Sequence, residues 1–326
     1  MKKLLRILFA VVIIVFVAVG GMITYVKSAM PNVGPAPEMV IEMYPERIAR
    51  GKYLANHVMQ CVECHAERDF SLFAGPPIKG TEGGGGDIFD QKFGFPGKFV
   101  ASNITPYGVG DWTDGELFRA ITTGVNKDGE ALFPIMPYHH FGQCDPEDIK
   151  SVIAYLRTLE PIEKENEESV ADFPVNILIN TMPQKFEPMS LPFPDDRLAY
   201  GQYMTTAALC GECHTKKVRG EVVGEPFAGG FEFHLGDGSV VRSANITPHE
   251  TGIGKWSKEF FVKRFKDYAA SDYSPHKVAP GQKQTLMPWM TYAGMDEYDI
   301  GAIYDYLQTL PPVDNVVTTF SPPAGK

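Results

Sequence analysis

Four cysteines and two histidines stand where they can do chemistry together: Cys61-Val62-Glu63-Cys64-His65 and Cys210-Gly211-Glu212-Cys213-His214 are both C-x-x-C-H. Two thiols three positions apart lie on nearly the same side of one helical turn. Both can therefore form thioethers to the vinyl groups of one porphyrin, and the histidine that follows points at its iron. C-x-x-C-H is the attachment signature of c-type haem. The pattern predicts two covalently bound haem c groups, one on Cys61 and Cys64 and one on Cys210 and Cys213, with His65 and His214 as iron ligands. Redox dithiols or zinc half-sites would account for C-x-x-C but not for the histidine that follows both times.

The elements that must position these groups also occur twice. Glu46-Arg47-Ile48-Ala49-Arg50-Gly51-Lys52-Tyr53 precedes the first motif as Asp196-Arg197-Leu198-Ala199-Tyr200-Gly201-Gln202-Tyr203 precedes the second. Asn103-Ile104-Thr105-Pro106 recurs as Asn245-Ile246-Thr247-Pro248, and Gly110-Asp111-Trp112-Thr113 as Gly254-Lys255-Trp256-Ser257, each opening a helix with Thr or Ser as cap. The closing helices agree best. Behind acidic caps at Asp145 and Asp296, Ile149, Val152, Ile153 and Leu156 fall at i, i+3, i+4 and i+7, and Ile300, Ile303, Tyr304 and Leu307 repeat that spacing. Each predicts an amphipathic helix with one buried face.

The chain has 326 residues, 44 % hydrophobic and 21 % charged, which suits a globular protein of two ordinary domains. Its 32 glycines and 26 prolines imply much irregular loop, of the kind a large cofactor organises. Lys2, Lys3 and Arg6 precede an uncharged run from Ile7 to Val26, long enough to cross a bilayer as a helix of about 30 Å. Basic residues at the start imply a cytoplasmic N-terminus and an exported remainder, placing the haem units on the periplasmic side of the inner membrane. A cleaved signal peptide is the rival, with Ala18-Val19-Gly20 as its small-x-small site, but the apolar run continues through Met22, Ile23, Tyr25 and Val26 and favours an anchor. Beyond Arg6 the chain has 27 basic against 40 acidic side chains, so nucleic acid is excluded as a partner.

Each unit reads as helix, C-x-x-C-H, long loops, helix, loop, helix. This resembles the mono-haem cytochrome c fold, an all-α domain wrapped around its porphyrin, here in two tandem copies after an N-terminal transmembrane helix. Asn-Ile-Thr-Pro followed by Gly-x-Trp-[Ser/Thr] is also similar to the haem domains of the cytochrome subunits that serve membrane-bound periplasmic alcohol and sugar dehydrogenases. Those subunits typically carry three haem motifs and this chain has two. The resemblance covers residues 46–312 and supports the domain type more firmly than any particular dehydrogenase. The expected layout is a membrane anchor or uncleaved signal at 1–27, a Pro-rich linker at 28–45, cytochrome c domains at 46–162 and 196–312, an inter-domain linker at 163–195 and a tail at 313–326.

In that family the distal iron ligand is usually a methionine, often followed by proline, on the loop before the last helix. The 151-residue shift that superposes the closing helices puts Met136-Pro137 on Met287-Pro288, His139 on Met290 and His140 on Thr291. The resemblance thus implies Met136 for the first iron and Met287 for the second, with His139 or His140, and Met290 or His276, as alternatives. It implies a membrane-tethered electron carrier rather than an enzyme, with no catalytic residues. Such a carrier would stand between a quinol-oxidising complex or periplasmic dehydrogenase and a terminal oxidase or other redox partner. The alternative is a dihaem enzyme of the peroxidase or thiosulfate-oxidising type, but a peroxidase needs an open iron site, and Met-Pro in both units argues against one.

Several residues have plainer expectations. Cys144 reads as a small apolar packing residue, because its shifted counterpart is Met295. Trp112 and Trp256 either hydrogen-bond a haem propionate or pack a helix start. Asn103-Ile104-Thr105 and Asn245-Ile246-Thr247 match a glycosylation acceptor, though duplication of a haem-pocket loop explains them better. Gly83-Gly84-Gly85-Gly86 lacks the Lys-[Ser/Thr] of a phosphate loop and reads as flexible.

Overall fold

The computed structural model describes residues 2–323. It begins with the helix Lys2–Ala29, whose mean hydropathy reaches 2.9 over a window of which nothing is buried. Its 28 residues exceed the ~20 that span a bilayer.

Beyond it, two helix pairs form the frame: Pro45–Tyr53 lies against Pro146–Leu156, and Arg197–Ala207 against Glu297–Leu307. The shared glycine of the opening helices makes these crossings close. A Cβ at Gly51 would overlap the Ser151 carbonyl, and one at Gly201 the Ala302 carbonyl. The apolar stripes of the closing helices are buried as their spacing predicts, with Ile149, Val152, Ile153 and Leu156 on one and Ile300, Ile303 and Leu307 on the other. Burying each such side chain contributes about 1.5–3 kcal/mol. Asp145 caps its helix by accepting from Glu147 N at 2.8 Å. Asp296 makes no side-chain cap bond; its own backbone N–H donates to the Tyr53 hydroxyl at 3.1 Å.

That bond belongs to a reciprocal contact between the units. Tyr53 donates its hydroxyl to Asp299 at 2.5 Å, and Tyr203 donates to Asp148 at 2.7 Å while accepting from Asp145 N at 3.1 Å. The matching tyrosine of each opening helix thus reaches across to the start of the other unit's closing helix. One continuous hydrophobic cluster runs through both halves.

The all-α expectation meets a difference. Short antiparallel strands join Ile88–Phe89 to Gly97–Val100 and the latter to Val170–Ala171, and equally Glu232–His234 to Val240–Arg242 and the latter to Phe320–Ser321. A further pair joins Lys217–Val218 to Glu221–Val222. The long loops of each unit carry β-branched and aromatic residues whose backbone groups need partners, and pairing supplies them.

The outer strands come from segments expected to be linker and tail. Asn103 Nδ2 donates to the carbonyls of Ile162 at 2.8 Å and Lys164 at 3.2 Å, and Asn245 Nδ2 to those of Val313 at 2.9 Å and Asn315 at 3.4 Å. Residues 162–171 and 313–321 are therefore fastened, each to its own unit, by the same asparagine and the same strand. The Pro-rich segment before the first unit is also tied down, with Ile41 N donating to Asp114 Oδ2 at 2.8 Å.

Candidate haem-attachment site

Each C-x-x-C-H forms one tight helical turn, Cys61–Cys64 and Cys210–Cys213. The residue before each turn takes the left-handed conformation, Gln60 at φ 58° and Leu209 at φ 59°, which ends the preceding helical segment and swings the thiols away from it. None of the four cysteines is in a disulfide. Burial pushes all four thiols up to about 12, yet Cys64 and Cys213 keep exposed surface.

The histidines that follow are held alike. His65 Nδ1 lies 2.7 Å from the Ser102 carbonyl and His214 Nδ1 2.7 Å from the Ala244 carbonyl. A carbonyl only accepts, so Nδ1 carries the proton and Nε2 keeps its lone pair free for a metal. Burial lowers both pKa values, with the backbone bond opposing, and favours the neutral imidazole that ligation requires. Two adjacent thiols and an imidazole with a free, oriented Nε2 are a donor set that fits haem c, and the set is present twice.

The carbonyls that orient the histidines were not foreseen, because a backbone oxygen leaves no residue type to read. Their signal was the Asn-Ile-Thr-Pro repeat that follows them. Asn103 Oδ1 accepts from Thr105 N at 3.0 Å and Thr105 Oγ1 at 2.7 Å, and Asn245 Oδ1 from Thr247 N at 2.9 Å and Thr247 Oγ1 at 2.8 Å. Both asparagines are buried. They act as turn-forming residues that fix the preceding carbonyl, a structural use that leaves no exposed amide for a glycan.

The four-glycine run, expected to be flexible, is a strap bonded to the histidine's own backbone and to the residue before the orienting carbonyl. Gly85 N donates to His65 O at 2.8 Å and Gly86 N to Ala101 O at 2.8 Å; in the second unit Gly229 N donates to His214 O at 2.8 Å and Gly230 N to Ser243 O at 2.9 Å. Gly85 has φ +68°, and a Cβ there would collide with the Ala101 and Ser102 carbonyls. The strap is ordered because these bonds fix it.

Met136 and Met287 occupy matching turns. Each is partly buried against the core, and its carbonyl accepts from the backbone N–H two residues on, Tyr138 and Trp289, both at 2.8 Å. The intervening prolines, at φ −81° ψ 49° and φ −80° ψ 65°, form inverse γ-turns, which is what the Met-Pro pair contributes.

The alternatives have other surroundings. His140 Nε2 is 2.8 Å from Glu212 Oε2 in the second attachment turn. His139 packs on Tyr138, with its Nδ1 buried and unbonded. His276 is exposed and stacked on Phe73. Cys144 is fully buried, its thiol raised to about 12 by burial, and it packs in the core. Trp112 and Trp256 also pack against the core.

No family model matches the chain. It is nevertheless similar over most of its length to several cytochrome c proteins. It is 29 % identical over 287 residues to the cytochrome c subunit of the quinone alcohol dehydrogenase of Komagataeibacter europaeus, covering 82 % of this chain and 56 % of that subunit. To the fructose dehydrogenase cytochrome subunit of Gluconobacter japonicus it is 28 % identical over 283 residues, 81 % of this chain and 52 % of that one. To a diheme cytochrome c-type protein of Cereibacter sphaeroides it is 27 % identical over 267 residues, 78 % of this chain and 83 % of that one. The chain spans little more than half the length of the two dehydrogenase subunits.

Proposed function

We propose that this chain is a membrane-anchored dihaem c-type cytochrome that relays electrons from a periplasmic dehydrogenase or a quinol-oxidising complex to a terminal oxidase or another redox protein. The observation that carries this reading is the duplicated donor set, in which each C-x-x-C turn is followed by a histidine whose Nδ1 is committed to a backbone carbonyl. When bound, haem c supplies a one-electron ferric/ferrous couple. Cys61 and Cys64, and Cys210 and Cys213, would hold it as thioethers. His65 and His214 would ligate iron through Nε2, and Met136 and Met287 would offer thioether sulfur as a further ligand. Ser102 and Ala244 fix each imidazole ring through their carbonyls, and the Gly85 and Gly229 straps hold the backbone carbonyl of each histidine.

The helix Lys2–Ala29 would tether the units to the periplasmic face of the inner membrane. Similarity to dehydrogenase cytochrome subunits supports a dehydrogenase as donor, and the similar length of the diheme relative supports a count of two haems.

The full chain, produced with haem c maturation, should carry two haems by intact mass, and the double variant Cys61→Ala/Cys64→Ala should carry one. A chain without covalent haem would overturn the reading. Near-infrared spectra of the ferric protein should show the methionine charge-transfer band at two equivalents. One equivalent would place an imidazole on one of the irons.

A further inference from the structure

The two attachment turns meet at a single side chain. Tyr292, in the short helix Trp289–Tyr292 of the second unit, accepts a hydrogen bond from Gln60 Nε2 and donates its own hydroxyl to the Ala208 carbonyl. Gln60 immediately precedes Cys61, and Ala208 stands two residues before Cys210. Tyr292 and Gln60 are both buried. One hydroxyl therefore touches the lead-in to both cofactor turns. Burial raises the phenol well above its ordinary pKa, so it stays protonated and both donates and accepts.

The duplication shows that this bridge is not required by the fold. Gln60 corresponds to Leu209, which opens its turn in the same left-handed conformation, and Tyr292 corresponds to Phe141 at the 151-residue shift. At the pseudo-equivalent place the chain thus uses an apolar pair. A buried polar pair has to recover its desolvation through hydrogen bonds, whereas an apolar pair of similar shape does not. Packing alone does not explain why one of the two places is polar.

We propose that Tyr292 is a positioning residue that clamps the two attachment turns to each other, so that one hydroxyl sets the spacing, and with it the redox coupling, of the two cofactors. This rests on the dihaem reading above.

The test uses the full-length, haem-loaded protein with Tyr292→Phe and with Gln60→Leu/Tyr292→Phe, the latter copying the apolar pair. In Tyr292→Phe, amides of both turns, 60–65 and 209–214, should exchange hydrogen about tenfold faster, as loss of a buried hydrogen-bonded hydroxyl implies. Loosening confined to the second unit would overturn the clamp. The double variant should recover thermal stability and keep both haem spectra. Electron equilibration between its haems, followed after rapid one-electron injection, should still slow on the order of tenfold, within the loss that misplacing reacting groups by ~1 Å can cause. Equilibration at the wild-type rate in the double variant would also overturn it. A protein that carries fewer than two haems would instead refute the dihaem reading and leave the hydrogen-exchange result to decide the clamp.

Discussion

At the second spacer residue the first attachment turn carries Glu63 and the second Glu212, and the two carboxyls meet opposite surroundings. Glu63 is buried, and burial raises its pKa although Arg68 lies 3.3 Å away. Glu212 is partly exposed. Burial would raise it too, but His140 at 2.8 Å and Lys217 at 2.5 Å outweigh burial and hold it down to about 2. The backbone of the turn, the histidine bond and the strap are shared between the units. What surrounds them is not. Duplication has kept the turn and the bonds that orient its histidine and let the electrostatic setting diverge, so the two sites are built alike but are not interchangeable.

The buried aspartates of the closing helices extend this contrast and give the largest expected effect. Asp148 is held by Nε and Nη2 of Arg50, at 2.8 and 2.7 Å, as well as by Tyr203. Asp299, at the equivalent place, is held by two hydroxyls, Tyr53 at 2.5 Å and Tyr200 at 2.9 Å. Removing a cation from a buried carboxylate leaves a charge uncompensated, so Arg50→Ala should cost about 3–5 kcal/mol. Tyr200→Phe removes one neutral donor to a charged acceptor and should cost about 1.5–3 kcal/mol. Denaturant unfolding of the two variants measures the difference, and equal losses would mean that the two aspartates are stabilised alike after all.

The straps give a smaller effect and a sharper comparison. Gly85→Ala combines a left-handed residue with a collision against the Ser102 carbonyl, and should cost about 2–4 kcal/mol. It should also disturb the orientation of His65, visible as a changed ligand-field spectrum at one haem. Gly83 has φ +83°, but its counterpart Phe227 is itself left-handed at φ +61°, and a Cβ at Gly83 approaches nothing nearer than 3.3 Å. Gly83→Ala should therefore cost only about 1–2 kcal/mol and leave the spectrum unchanged. A spectral change in Gly83→Ala would show that the strap as a whole, and not the one contact at Gly85, orients the histidine.

How far the molecule could be read in advance follows the same division. The paired C-x-x-C-H turns stand out in the sequence because a porphyrin would require contiguous residues at fixed spacing. The closing helices were legible because a buried helical face has a period. The Ser102 and Ala244 carbonyls were not, since a backbone atom does work there that any residue type allows. The fastening of residues 162–171 and 313–321 escaped notice for a related reason: Ile162 and Lys164 share no side-chain chemistry with Val313 and Asn315, and only their carbonyls are used in common. Four consecutive glycines suggested freedom, whereas here they allow left-handed turns that hydrogen bonds then fix. Tyr292 and Gln60 leave no repeat signal, since this pair exists in only one of the two copies.

A difference of that one-sided kind sets the smallest expected effect. On the closing helix of the second unit, Asp305 bonds Arg197 from the opening helix and Lys258 at 2.7 Å from the helix between them; the first unit has a fully buried Ala154 at that place. Burial raises the Asp305 carboxyl, but Lys258 and Arg197 together outweigh it and hold the pKa below its ordinary value. A depressed folded pKa stabilises the protein above the unfolded value of about 3.9, and that contribution disappears as pH falls through the folded value. Asp305→Ala should therefore lose about 0.2–1 kcal/mol at neutral pH, since the three groups are partly exposed. The loss should shrink as the pH is lowered below that range and as salt is added. Unfolding curves of wild type and variant across this range should converge in acid. A gap that persists there would mean that Asp305 stabilises the second unit by packing rather than by charge, and that the unit differs from the first in shape more than in electrostatics.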